Sequence, residues 1–211
     1  MKTTFLKLTG VLLLLITSVY ARDEHNDWYA SIYGGAAFPM KLKNKDNTND
    51  NWNKFKTGGT MGLEVGQYFN EWRFGLEAGY KTFDNKDYKT GATEASDPVD
   101  GHLRIFSLMA NVYYDYAMSA NWSLYAGGGI GYGCVKGKFT NDAIYNGRAN
   151  TFAYQLMAGV GYDIAKNITL GVGYRFFGTT DPKIAQSGNG AKKGFKNLFV
   201  QSVEASVRYS F

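Results

Sequence analysis

The last nine residues, VEASVRYSF (Val203–Phe211), decide how the whole chain is read. Strand side chains alternate between two faces with a period of 2. Val203, Ala205, Val207, Tyr209 and Phe211 therefore share one face, and Glu204, Ser206, Arg208 and Ser210 share the other. One side is apolar and ends on an aromatic residue; the other carries two full charges. The fold turns on which of these sides faces outward.

Working back from this segment, the same alternation recurs seven more times. Trp28, Ala30, Ile32, Gly34, Ala36 and Phe38 form one apolar face, opposite Tyr29, Ser31, Tyr33 and Gly35. Further strands are predicted around Met61–Phe69, Trp72–Lys81, Phe106–Tyr116, Trp122–Tyr132, Phe152–Tyr162 and Ile168–Phe176, and the closing strand reaches back to about Phe199. Each is close to the ~9–11 residues of a tilted membrane-spanning strand. Polar stretches at about 41–51, 84–101, 140–150 and 180–197 alternate strictly with short turns at Asn70-Glu71, Ala117–Asn121 and Ala165–Asn167. An even number of antiparallel strands, with long loops at one end and short turns at the other, is the pattern of an outer-membrane barrel.

The aromatic residues sort by height. Trp28, Phe69, Trp72, Tyr116, Trp122, Tyr162, Tyr209 and Phe211 lie beside the short turns, and Phe38, Tyr80, Phe106, Tyr132, Phe152, Tyr154, Phe176 and Phe199 beside the long loops. Aliphatic residues fill the band between them, as expected where two aromatic girdles mark the membrane interfaces. A soluble sandwich also alternates, but it gives no reason for three tryptophans to gather at one end. The expected fold is an all-β, eight-stranded antiparallel up-and-down transmembrane β-barrel. Its apolar face meets lipid and its charged face lines the lumen. Backbone groups cannot go unpaired in hydrocarbon, so the sheet must close.

The first residues fit export. Lys2 and Lys7 precede an apolar run from Val11 to Val19, and Val19-Tyr20-Ala21 supplies small residues for cleavage. Residues 1–21 are thus expected to be a signal peptide, and residues 22–211 the barrel. The apolar run is too short for the ~20 residues of a spanning helix. Cleavage removes Lys2 and Lys7 and takes the formal charge from +5 to +3, too weak to argue for nucleic acid. A single cysteine, Cys134, excludes an internal disulfide; its parity is outward, and it receives no role.

Inward parity collects Glu64, Arg73, Glu77, Lys81, Asp115, Arg175, Glu204 and Arg208, with equal numbers of each sign. Buried charges must be paired. A structural network that stiffens the lumen is the favoured reading, and a gate in a narrow pore is the second. Inward glycines, Gly75, Gly159 and Gly173 among them, either leave a water path, make room for Tyr29, Tyr33, Tyr113 and Tyr125, or permit curvature. The stretch YAGGGIGYG (Tyr125–Gly133) fails the spacing of a dinucleotide-binding loop, and no helix follows it. Of the two histidines, His25 precedes the first strand; His102 has Asp100, Arg104 and Ser107 nearby, which makes no convincing catalytic group. No His/Cys cluster suggests a metal, and no cofactor is expected.

Two loop segments are rich in lysine: Lys41, Lys43, Lys45, Lys54 and Lys56 in the first, Lys183, Lys192, Lys193 and Lys196 in the fourth. They read either as a solvated face touching lipid phosphates at the rim or as an attractor for anionic host glycans. Loops on a rigid scaffold are where recognition usually resides.

YAGGGIGYG, GVGYRFF (Gly171–Phe177) and SVRYSF (Ser206–Phe211) together resemble the small outer-membrane β-barrel superfamily of opacity-like adhesins, OmpA membrane domains, OmpX-type barrels and rickettsia-type surface antigens. The resemblance implies an integral outer-membrane location in a Gram-negative bacterium, with extracellular loops. It also implies roles in adhesion, antigenic display, envelope structure or weak porin activity. Val207, Tyr209 and Phe211 resemble the signal read by the barrel-assembly machinery. The implied partners are that machinery, outer-membrane lipid and lipopolysaccharide, and a host-cell surface or anionic glycans. No catalytic residue carries over. The expected function is a surface protein presenting four loops, opacity- or adhesin-like or envelope-structural, with a narrow porin as the alternative.

Overall fold

The computed structural model describes residues 28–40, 42–43, 52–89, 101–141, 143–180, 183–185, 192–194 and 197–211. Every regular element among them is a strand: β1 (Trp28–Pro39), β2 (Leu42–Lys43), β3 (Trp52–Phe55), β4 (Gly58–Phe69), β5 (Trp72–Lys89), β6 (Gly101–Ala117), β7 (Trp122–Asn141), β8 (Ala143–Ala165), β9 (Ile168–Thr179), β10 (Lys183–Ala185), β11 (Lys192–Gly194) and β12 (Leu198–Ser210). The eight long strands pair in sequence, each antiparallel to the next, from β1–β4 round to β9–β12. β1 then pairs with β12, from Tyr29 opposite Ser210 to Pro39 opposite Val200. Trp28 and Phe211 exchange backbone bonds of 3.0 and 2.8 Å, so the first and last strands close the cylinder completely at that end. The expected signal peptide lies outside the described residues.

The three short turns come where the sequence places them. The tightest, Asn70-Glu71, puts Phe69 opposite Trp72 and holds Asn70 at φ 55°. Among non-glycine residues, asparagine tolerates this left-handed region best. The long connections differ from the sequence reading. The third, expected as a loop from about Thr140 to Asn150, is mostly an extension of the β7–β8 hairpin, paired up to Asn141 opposite Ala143. Its polar residues disguise a strand whose inward Ala149 is apolar and buried, opposite the buried Val135 of β7. In the first connection, β3 pairs with the far end of β5 and prolongs the wall, and in the fourth β10 and β11 pair with each other.

The faces separate by parity. Leu76, Leu156 and Ile130 are 67, 63 and 61% exposed, whereas neighbouring Glu77 is 2% exposed. An apolar surface that encircles the whole molecule has lipid as its solvent. At the short-turn end Trp72 meets Tyr114 with ring centroids 5.2 Å apart, and Trp122 meets Tyr162 at 4.8 Å. At the long-loop end Phe176 stacks on Phe199 at 5.6 Å.

Candidate functional site

The lumen is filled in layers, because eight strands leave an interior only as wide as its own side chains. Nearest the short turns, Thr169 Oγ1 donates to Asp163 Oδ1 at 2.6 Å. Above it Arg73 grips Asp115 in two-pronged fashion, Nε to Oδ2 at 3.0 Å and Nη2 to Oδ1 at 3.2 Å. The Arg73 guanidinium lies 4.0 Å from the centroid of the Tyr113 ring, and its Nη1 is 3.7 Å from Glu64 Oε1. Glu64 accepts from Tyr29 Oη at 2.7 Å, Tyr113 Oη at 2.7 Å and Asn111 Nδ2 at 2.6 Å.

The next layer centres on Glu77 and Arg175, from β5 and β9. Arg175 Nη1 donates to Glu77 Oε1 at 2.8 Å and Oε2 at 2.6 Å, while its Nε donates to Glu204 Oε2 at 2.9 Å. Glu77 also accepts from Tyr33 Oη, Asn111 Nδ2 and Gln155 Nε2. Asn111 donates to both Glu64 and Glu77 and so joins the two layers. Ser202 Oγ holds the remaining Glu204 oxygen at 2.6 Å. These buried carboxylates and guanidiniums are each satisfied several times over, which is what makes burial of charge tolerable.

Two of the eight inward charges stand apart. Lys81 is fully buried and its Nζ has no hydrogen-bond partner among the described residues; it sits 4.3 Å from the centroid of the Phe177 ring. Arg208 forms no ion pair among the described residues and lies 5.7 Å from the Tyr68 ring. Sequence parity places all eight inside but does not distinguish the six that join networks from these two. Parity also carries the uncharged linkers Asn111 and Gln155 inward without marking them as members of the network.

Above the charged layers the lumen turns apolar. Ala37, Phe83, Leu103, Ile105, Met109, Val135, Ala149, Ala153, Phe177, Leu198 and Val200 form one buried cluster at the long-loop end. A cavity of about 50 Å3 lies below it, lined by Glu64, Arg73, Tyr125, Arg175 and Arg208 among others. That is space for only a few water molecules. The inward glycines house tyrosine heads: a methyl group at Gly75 would lie 2.5 Å from Tyr29 Oη, and one at Gly159 would lie 2.6 Å from Tyr125 Oη.

Outside the lumen, His102 Nδ1 meets Asp84 Oδ1 at 2.7 Å in an exposed pair. Ser107 points to the opposite face and is buried, so His102 and Ser107 cannot work together. Among the described residues no three His, Cys, Asp or Glu side chains gather in a metal-binding cluster. Cys134 has outward parity yet is 4% exposed, because Arg148 covers it with Nε 2.9 Å from Sγ. Of the lysine-rich segments, Lys56 is exposed. The side chains of Lys41, Lys43, Lys45, Lys54, Lys183, Lys192, Lys193 and Lys196 lie outside the described residues. Val207 and Tyr209 face outward, and Tyr209 stacks on Phe211 with centroids 6.1 Å apart.

The sequence pattern of the outer membrane protein beta-barrel domain matches residues 8–211. The chain belongs to this family. Like other members of the outer-membrane β-barrel family, it is an integral protein of the outer membrane, with its long connections at the extracellular end. A Rickettsia felis protein described as a candidate adhesin is 26% identical over 223 residues, covering 99% of this chain and 98% of the relative. Another so described, from Rickettsia bellii, is 28% identical over 206 residues, 94% of this chain and 88% of its own. Among solved structures, Neisserial surface protein A superposes with a TM-score of 0.53 at 18% identity, over 89% of this chain and 100% of its own. A major outer membrane protein from Thermus thermophilus matches with a TM-score of 0.53 at 11% identity, over 88% and 99% of the two chains. At these identities the two structures speak to the fold alone.

Proposed function

We propose that this protein is a non-enzymatic surface adhesin, a membrane-fixed barrel whose extracellular connections bind anionic glycans on a host-cell surface. The observation that carries this reading is the filled lumen. Among the described residues, charged layers tied by short hydrogen bonds and an apolar cluster above them fill most of the lumen, which supports a role for what the barrel displays. Charge supports the choice of ligand. The first connection, residues 41–57, has five lysines against two aspartates, and the fourth, residues 180–197, has four lysines against one aspartate. The second, residues 84–101, carries the opposite sign, with five carboxylates against two lysines. β1 and β12 are paired neighbours, so the two basic connections leave the barrel side by side. Two adjacent basic segments raise the local concentration of a polyanion. The relatives described as candidate adhesins agree with this reading. Export by a cleaved leader over residues 1–21, and delivery to the assembly machinery through Val207, Tyr209 and Phe211, belong to the same proposal.

The test is binding of cells displaying the protein to heparin-coated surfaces and to host cells. Replacing Lys41, Lys43, Lys45, Lys54 and Lys56 with glutamine is expected to cut binding several-fold and to remove most of its salt sensitivity. Unchanged binding would refute the proposal. In a planar bilayer the folded protein is expected to show no stable conductance steps; reproducible ohmic steps would favour a pore.

A further inference from the structure

The outer wall carries a second basic feature, separate from the loop lysines. Arg104 of β6 stands directly opposite Lys136 of β7, and Lys136 directly opposite Arg148 of β8. All three have the parity of the lipid-facing residues, and all three are exposed. They form one cross-strand row. Two residues nearer the membrane centre, the row is Phe106, Cys134 and Asn150; the next is Leu108, Tyr132 and Phe152. With a rise near 3.4 Å per residue and a strand tilt near 40°, the cations sit about 5 Å above Phe106. That is the height at which the outer leaflet changes from acyl chain to headgroup.

Directly opposed like charges destabilise a sheet, and this row contains two such pairs in succession. Among the described residues none of the three forms an ion pair. Asp84, the nearest described carboxylate in the row above, is held by His102 at 2.7 Å. Arg148 is fixed against the wall by its Nε contact of 2.9 Å to Cys134 Sγ. That contact occupies Nε and leaves the two Nη groups for a ligand. The three strands are about 5 Å apart, and the long side chains of Arg104, Lys136 and Arg148 can converge on one phosphate that approaches from the side.

We propose that Arg104, Lys136 and Arg148 form a binding site for the phosphorylated headgroup of an outer-leaflet lipid. The phosphate bridges the three strands, neutralises their mutual repulsion and holds the barrel at a set depth. The acyl chains then lie against Phe106, Leu108, Tyr132 and Phe152. The site faces the membrane from β6 to β8, whereas the proposed glycan-binding connections leave beside β1 and β12. The two can therefore fail independently.

Folded protein in micelles is titrated with diphosphoryl lipid A in the presence of a chelator, and bound lipid is counted by native mass spectrometry. A basic residue near a charged membrane surface contributes about five-fold in binding. The Arg104→Gln/Lys136→Gln/Arg148→Gln triple variant is therefore expected to bind on the order of 100-fold more weakly, and Arg104→Lys/Arg148→Lys to retain most of the affinity. Heat-dependent gel mobility reports folding. Should the triple variant not fold, Lys136→Gln alone is read, with a loss of about five-fold or more. Undiminished binding by the folded charge-removing variant overturns the site. Equal binding of fully dephosphorylated lipid A also overturns it, since acyl chains alone would then account for retention. Complete competition by millimolar inorganic phosphate or by a heparin fragment would assign the row to a soluble anion and overturn the lipid assignment.

Discussion

Replacing Glu77 with glutamine keeps the shape of the side chain and removes its charge. Among the described residues four side chains donate to it: Tyr33 Oη at 2.8 Å, Asn111 Nδ2 at 3.0 Å, Gln155 Nε2 at 3.2 Å and Arg175 Nη1 at 2.8 and 2.6 Å. A carboxylate accepts all of them, whereas an amide has one accepting oxygen and turns an NH2 group into the remaining donors. Breaking a buried ion pair costs about 3–5 kcal/mol. Arg175 keeps Glu204 at 2.9 Å and Gln155 Oε1 at 2.9 Å, so the loss belongs near the lower end, about 3 kcal/mol. Glu204→Gln is expected to cost less, about 1.5–3 kcal/mol, because among the described residues Glu204 accepts from Arg175 and Ser202 alone. Urea unfolding in micelles, followed by tryptophan fluorescence and by loss of heat-dependent mobility, gives both values. The double variant Glu77→Gln/Arg175→Met should fall short of the sum of its singles by about 0.5–3 kcal/mol, the usual range for contacting residues. If Glu77→Gln lies within about 1 kcal/mol of wild type, or costs less than Glu204→Gln, the network does not stabilise the barrel as argued.

Two further expectations use the same unfolding assay. Lys81→Met keeps the length of a fully buried chain whose Nζ is unpartnered among the described residues, and removes its charge. Stability should rise by about 1–3 kcal/mol, the scale of an unpaired buried polar group; a fall would mean that the ammonium is held by something. Gly75→Ala puts a methyl group 2.5 Å from Tyr29 Oη and 2.7 Å from Glu64 Cδ, and should cost about 1–3 kcal/mol. Gly59→Ala, where no atom lies within 4 Å, should stay within about 0.5 kcal/mol. Equal losses at the two glycines would count against the tyrosine-packing account.

Much of the architecture is legible in the chain because a strand has a period of 2 and a membrane barrel offers only two environments. Val203, Val207 and Tyr209 could be placed against lipid, and Glu204 inside, by counting alone. The third long connection was misread because Asn141, Asp142, Asn146, Arg148 and Asn150 make residues 140–150 look like a polar loop. Pairing in the centre was not legible. Glu77 and Arg175 are 98 residues apart on strands that are not neighbours, and they meet only because closure brings β5 and β9 across one narrow lumen. Parity likewise counts Lys81 as a partner in a network, although among the described residues its Nζ meets only the Phe177 ring.

Alternation in the sequence by itself determined the two faces, the number of membrane-crossing strands and the set of charges that must leave lipid. The tertiary structure alone decided which of those charges meet, that a buried apolar cluster gathers in the extracellular half of the lumen, and that Arg104, Lys136 and Arg148 stand abreast. The reason is geometric. The face of a residue depends only on its own strand, whereas its height and its partner across the barrel depend on the stagger of all eight strands together.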